Sequence, residues 1–162
     1  MSETIFIVDS SFFIEDHNIK IKEIHTAESV IKELKSLKAK LRFEAFYPFI
    51  ILHRPSNESI KKIKEIVKNY GEISLSQVDI EILAIALALS KSKNVVILSD
   101  DYSIQNICKY LNIKCKGISK KIIKKRIKWE LYCKVCGKKL PYSASTCIYC
   151  GSEDVTRKPS SN

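Results

Sequence analysis

Two groups of side chains could do chemistry. The first is four cysteines in two matching turns, Cys133-Lys-Val-Cys136-Gly137 and, ten residues on, Cys147-Ile-Tyr-Cys150-Gly151. A Cys-x-x-Cys turn presents two thiolates on one side of a tight loop, and a following glycine lets the backbone fold beneath them. Two such turns joined by a short hairpin supply the four soft ligands of a tetrahedral structural zinc, one per chain. Disulfides are the bland alternative, but the chain has no secretory features. Cys108 and Cys115 stand alone in apolar surroundings and read as core thiols. The second group is acidic. Asp9 directly follows the apolar run Ile5–Val8, and Asp100-Asp101 follow Val95–Leu98 after one serine. Carboxylates that gather inside a fold repel one another and resist desolvation, and a hard cation such as Mg²⁺ or Mn²⁺ relieves both. Such an ion can generate hydroxide and stabilise charge on a phosphate being cleaved.

The elements that must position these groups follow from hydrophobic patterning. Ile5–Val8 reads as a strand covered on both faces. From His25 to Lys40, Ala27, Val30, Ile31, Leu34 and Leu37 fall at helical spacing. Phe46–Leu52 is a second apolar run, and Pro48 makes it an edge strand or a bulge. A helix opens at Pro55-Ser56-Asn57, carries Ile60, Ile63 and Ile66, and stops at Gly71. Ser76 opens another helix to about Ser90, apolar all round from Ile82 to Leu89 and therefore central. Val95–Leu98 is a third strand, a helix with Ile104, Ile107 and Leu111 follows, and Asn112–Lys116 is a fourth. Apolar strands alternating with helices predict an α/β domain with a parallel sheet over residues 1–118. A basic linker or helix spans 119–129, a zinc ribbon 130–155, and residues 156–162 read as a disordered tail.

In open α/β sheets ligands bind beyond the C-terminal strand ends. Asp9 and Asp100-Asp101 converge there if their strands are adjacent and parallel. Each has a bland alternative: Asp9 could cap a helix near Ser11, and Asp100 the helix from Tyr102. Asp79 lies three residues after Ser76, in a capping box or near the sheet. On its expected helix Glu33 sits at the margin of the buried face, with no lysine three or four residues away. His17, His25 and His53 read as surface or packing residues.

Ile-Val-Asp9-Ser-Ser11, Glu33, Leu-Ser76-Gln-Val-Asp79, Ile-Leu-Ser99-Asp100-Asp101-Tyr and the C-terminal four-cysteine ribbon together resemble the PIN-domain nucleases. The branch they look like is the NOB-one type, in its compact archaeal form. That resemblance implies a PIN-like parallel sheet flanked by helices with a small C-terminal zinc ribbon. It implies a Mg- or Mn-dependent endoribonuclease that matures the 3′ end of small-subunit ribosomal RNA by in-line attack of a metal-activated water. Asp9, Glu33, Asp79 and Asp101 match the family's acidic positions, with Asp9, Asp79 and Asp101 as metal ligands. Asp100 is adjacent, and which of the pair binds metal stays open. Ser11 would orient Asp9 or a bound water. The partners implied are pre-rRNA, the pre-small ribosomal subunit and other assembly proteins. A non-catalytic RNA-binding assembly factor, or a PIN nuclease for another RNA, are the alternatives.

Charge agrees with an anionic partner. The net charge of +10 is concentrated beyond residue 118, where 11 Lys and Arg face 3 Asp and Glu. Lys120, Lys121, Lys124, Lys125, Arg126 and Lys128, with Lys134, Lys138 and Lys139 on the first knuckle, could neutralise phosphates. Trp129, Tyr142 and Tyr149 could stack on bases or fill a ribbon too small to have another core. No apolar stretch is long enough to cross a bilayer, no signal peptide is evident, and the expected compartment is the cytoplasm.

Overall fold

The structure is a computed structural model that describes residues 4–119 and 122–160. Five parallel strands form the main sheet in the order β3-β2-β1-β4-β5. They are β1 (Thr4–Val8), β2 (Ile24–Ala27), β3 (Ile50–His53), β4 (Asn94–Leu98) and β5 (Lys114–Lys116). The chain adds β2 and β3 on one side of β1, then crosses to place β4 on the other. The crevice where strand order reverses therefore opens between β1 and β4. Their pairing runs in register from Thr4↔Asn94 to Val8↔Leu98, so Asp9 and Ser99 leave the sheet side by side.

Helices flank the sheet. They are the short α1 (Ser11–Ile14), α2 (Leu37–Phe46), α3 (Asn57–Asn69), α4 (Gln77–Leu89) and α5 (Tyr102–Leu111). α4 is the central one, as its apolar circumference requires. Ile82, Leu83, Ala84 and Ala86 are all buried, and the helix packs against β1, β2, β4, α3 and α5. α3 is amphipathic, capped by the Ser56 hydroxyl, and ends where Gly71 adopts φ +66°. Among the described residues no helix is long and apolar enough to cross a membrane.

The expected helix over 25–40 is not formed as one piece. Ile24–Ala27 is a strand buried along its whole length, with the Thr26 hydroxyl donating 2.7 Å to the Val8 carbonyl. Glu28–Glu33 is a 3₁₀ turn, and α2 starts only after Ser36, whose side chain accepts the Ala39 N–H. Helical spacing ran through all three because Val30 and Leu34 are buried from a turn rather than from a continuous helix. Phe46–Leu52 likewise splits. Tyr47–Phe49 is a 3₁₀ turn around Pro48, and Ile50–His53 forms an edge strand of the sheet.

A second sheet, β7-β6-β8, is antiparallel and built from β6 (Trp129–Cys133), β7 (Lys139–Leu140) and β8 (Val155–Pro159). Its small core is Leu131, Cys133, Leu140 and Cys147. The tail expected to be disordered from residue 156 instead pairs with β6, from Cys133↔Val155 to Trp129↔Pro159. Its polar composition conceals the β-branched Val155-Thr156, and Pro159 is tolerated because β8 is an edge. Lys120 and Lys121 lie outside the described residues, as do the last two positions.

The two sheets meet at the end of α3. The Trp129 N–H donates 3.0 Å to the Tyr70 carbonyl, and the Tyr142 hydroxyl donates to the Trp129 carbonyl. A Cβ on Gly71 would sit 2.5 Å from the Tyr142 ring and 2.6 Å from the Trp129 oxygen. Gly71→Ala combines a left-handed backbone with overpacking, so a loss of about 2–3 kcal/mol is expected in urea denaturation. An unchanged midpoint would mean that the second sheet does not press on this loop.

Candidate active site and cysteine cluster

At the β1–β4 crevice two serines bind one carboxylate. Asp9 is 4% exposed. Its Oδ1 accepts the Ser11 N–H at 2.9 Å and the Ser11 hydroxyl, and its Oδ2 accepts the Ser99 hydroxyl. Each serine also faces the acidic pair after β4. Ser99 Oγ accepts the Asp101 N–H at 3.0 Å, and Ser11 Oγ accepts the Asp100 N–H at 3.4 Å. The ends of β1 and β4 are thus linked through hydroxyls that orient Asp9. Ser99 is absent from the residues the sequence singles out as the site. Its signal was the β1–β4 register, which only the fold supplies.

Asp79 and Glu33 arrive from the other side. The Ser76-to-Asp79 capping box is real: the Ser76 N–H donates 2.7 Å to Asp79 Oδ2, and the Asp79 N–H donates 3.1 Å to Ser76 Oγ. The cap does not exclude the site role, because the same first turn lines the cleft. Ser76 Oγ lies 3.3 Å from Glu33 Oε1 and donates to it. Glu33 therefore reaches the cleft from the end of the 3₁₀ turn, not from a helix face.

The adjacent aspartates separate. Asp101 caps α5, its Oδ1 accepting the Ser103 and Ile104 N–H groups at 2.6 and 3.2 Å. The sequence offers Asp100 for that cap as the alternative to a site role, but the N-cap is Asp101. Asp100 instead accepts the Ile118 N–H at 2.7 Å, the Ser119 N–H and the Ser119 hydroxyl, which ties down the chain as it leaves β5. Asp9, Ser11, Glu33, Asp79, Asp100 and Asp101 all line one cleft of about 540 Å³. Glu15 lines it too, an acid the sequence did not point to. The three histidines stand elsewhere: His17 meets the Phe12 carbonyl, and His25 stacks on His53.

Burial pushes the Asp9 carboxyl up to about 6, against the hydrogen bonds from Ser11 and Ser99, and the charge of Asp79 adds to the rise. Burial also raises Asp79, against its Ser76 hydrogen bonds, with Asp101 and Glu33 repelling its charge. None of the ion pairs among the described residues involves Asp9, Glu33, Asp79 or Asp101. Oxygen donors that repel one another, with no cation paired to these four among the described residues, suit a hard divalent ion.

The four cysteines place their sulfurs within 4.8 Å of one another. Cys133 Sγ is 3.6 Å from Cys150 Sγ, and Cys136 Sγ is 3.5 Å from Cys147 Sγ. The edge of a tetrahedron with Zn–S bonds of ~2.3 Å is about 3.8 Å. Burial works against ionising Cys147, but the N–H groups of Cys150 and Tyr149 bring its thiol down to about 6. For Cys150 the Ser152 N–H pulls downward, yet Cys133 and Cys147 prevail and push it up to about 12. Thiols this close share protons, and one soft divalent cation can replace those protons.

The basic candidates divide as well. Lys134 pairs with Asp154 at 2.7 Å and Lys139 with Glu130 at 2.6 Å, while Lys138 stands 4.3 Å over the Tyr149 ring. Lys124, Lys125, Arg126 and Lys128 are exposed, with Arg126 donating to Asn112. Trp129 and Tyr142 are used in packing against the α3 end, whereas Tyr149 is exposed.

Residues 6–89 match the family model described as the PIN domain of ribonuclease. The chain is 36% identical over 150 residues to Endoribonuclease Nob1 of Methanocaldococcus jannaschii, covering 90% of this chain and 74% of that one. It is 33% identical over 151 residues to the Nob1 of Pyrococcus abyssi, covering 90% and 89%. The chain belongs to the Nob1-type PIN-domain endoribonucleases. Within this PIN fold it is also 33% identical to Ribonuclease VapC1 of Thermoplasma acidophilum, over 92% of this chain and 76% of that one.

The raised Asp9 carboxyl of the PIN cleft has a sign that can be tested. Between about 4, the unfolded value, and about 6, the native chain holds a proton that the unfolded chain has lost. Stability from this group therefore falls as pH rises through that window and stays low above it. In buffer without Mg²⁺ or Mn²⁺, the stability difference between Asp9→Asn and wild type should shift in favour of the variant by about 2 kcal/mol from pH 4 to pH 7. Urea denaturation at stepped pH checks this, and a difference that does not vary with pH would refute it.

Proposed function

We propose that the chain is a Mg²⁺- or Mn²⁺-dependent endoribonuclease that cuts a precursor of small-subunit ribosomal RNA at its 3′ end. The observation that carries this reading is the serine-oriented acidic cleft at the β1–β4 switch point, joined to a four-cysteine sheet in a chain aligned with Nob1 proteins along most of its length. Asp9, Asp79 and Asp101 would hold the divalent ion. Asp100 is assigned to anchoring residues 118–119. When bound, that ion supplies charge neutralisation at a phosphodiester and acidity for a water. Ser11 and Ser99 fix the direction of both Asp9 oxygens before substrate arrives, so no reorientation is needed at the moment of reaction. Glu33, which accepts the Ser76 hydroxyl, would take a proton from the attacking water. The products would be a 3′-hydroxyl and a 5′-phosphate.

Asp9→Asn should reduce Mn²⁺-dependent cleavage of an RNA spanning the small-subunit 3′ end by about a hundredfold or more, with RNA binding retained. Undiminished cleavage would dismiss the site. The likeness to a protein named VapC1 favours a second reading, a nuclease for another RNA, and preferential cutting of tRNA or mRNA in a panel of purified RNAs would support it.

The ion we assign to the cysteines is zinc, one per chain. Elemental analysis of protein purified without chelator should find that stoichiometry, and its absence would remove the assignment. The cationic stretch is assigned to RNA phosphates, which orient a substrate without reading its bases. Replacing Lys124, Lys125 and Arg126 by Ala should weaken RNA binding and lower the slope of log affinity against log salt by about two. An unaltered slope would leave these residues a solubility role only.

A further inference from the structure

One buried acid takes no part in the cleft. Glu72, 2% exposed, lies in the loop between α3 and α4. Its Oε2 accepts the Asn106 amide at 3.0 Å and the Trp129 indole N–H at 3.0 Å. Its Oε1 accepts the Ser103 hydroxyl at 2.9 Å and the Ser74 hydroxyl at 3.1 Å, and pairs with the Arg157 guanidinium at 3.3 Å. Every one of these partners is a donor, so the pocket is built for a carboxylate, which only accepts.

Apart from Ser74 in the same loop, the donors come from α5 and from the second sheet. Ser103 and Asn106 belong to the first turns of α5. Trp129 begins β6 and Arg157 lies in β8, both in the sheet closed by the cysteines. Arg157 also stands 5.0 Å over the Trp129 ring. A second tie runs in parallel, since Asn106 donates to the Ile127 carbonyl at 2.7 Å and accepts the Ile127 N–H at 2.9 Å. Ser103 in turn lines the cleft, and its N–H is 2.6 Å from Asp101 Oδ1.

We propose that Glu72 is a positioning residue that couples the cysteine-closed sheet to the start of α5 and thereby fixes Asp101 in the cleft. The ribbon then supports the cutting site mechanically, whatever RNA it binds. Removing one donor from the cluster leaves a buried carboxylate under-satisfied, and the strain falls on the α5 turn that shares it. The consequence for catalysis rests on the nuclease reading above, but the mechanical coupling does not.

The test uses the full zinc-loaded chain and three variants: Glu72→Gln, Arg157→Ala and Arg157→Lys. Amide hydrogen exchange without RNA should accelerate about fivefold at Ile104, Gln105 and Asn106 in Glu72→Gln, and measurably in Arg157→Ala. Arg157→Lys should return those amides toward wild type, and the amides of β1 and β4 should stay at wild-type rates throughout. On a short single-stranded RNA, kcat should fall in Glu72→Gln with KM unchanged. Unaltered exchange at 104–106 in the variants overturns the proposal, and so does equal acceleration in α5 and β1, which would signal general loosening. If Glu72→Gln does not fold, the Arg157 pair decides by the same exchange. If the wild type cuts no RNA, the nuclease reading falls while the exchange result still decides the coupling.

Discussion

Parallel pairing of β1 with β4 is the constraint on which the rest of the molecule depends. It sets Val8 beside Leu98 and so delivers Asp9, Ser99 and Asp101 to one point. The pairing also buries Asp9, which makes its charge costly and its geometry strict. Hydroxyl donors recover part of that cost and leave no freedom in how the carboxylate faces the cleft. The α4 N-terminus can bring Asp79 close only because that helix is apolar all round and sits against β1, β2 and β4. A helix with a polar face would have placed its first turn in solvent.

The cleft was readable in the sequence where local chemistry and local structure coincide. Asp9 directly follows one continuous apolar run, Asp101 lies three residues past the end of another, and Asp79 opens a helix that announces its burial by composition. The cysteines were more legible still, because ligand spacing is a property of a single turn. What escaped was non-local. β2 has no alternation of its own and is a strand because Val8 and Ile50 flank it. The division of labour between Asp100 and Asp101 depends on residues 118–119 returning beneath the former. β8 looked like a solvated tail because nothing within Thr-Arg-Lys-Pro reveals that it pairs with Trp129–Tyr132 of β6. Glu72 gave no sign at all, since its five donors come from four segments.

Aromatic and basic residues near the C-terminus illustrate a related limit. Composition groups Trp129, Tyr142 and Tyr149 as possible base-stacking platforms. Position separates them, because two are consumed where the second sheet meets the α3 end and one is exposed on a zinc-type knuckle. Likewise Lys134 and Lys139 are partly neutralised by Asp154 and Glu130. Among the described residues, positive charge without an ion-pair partner is thus shifted toward residues 124–128, between the two sheets. A polyanion gathered there lies alongside the joint rather than at the far tip of the ribbon.

The placement of Arg157 in β8, after every acid of the cleft, has a consequence in time. Translation proceeds from the N-terminus, so every acid of the cleft, and Ser103 with them, is made before β8 exists. Domains begin folding while synthesis continues. A nascent chain can therefore hold an assembled acidic cleft whose α5 turn has not yet received its guanidinium partner. The donor set around Glu72 is then complete only once β8 has been made, a vectorial order in which the acidic cleft precedes its brace.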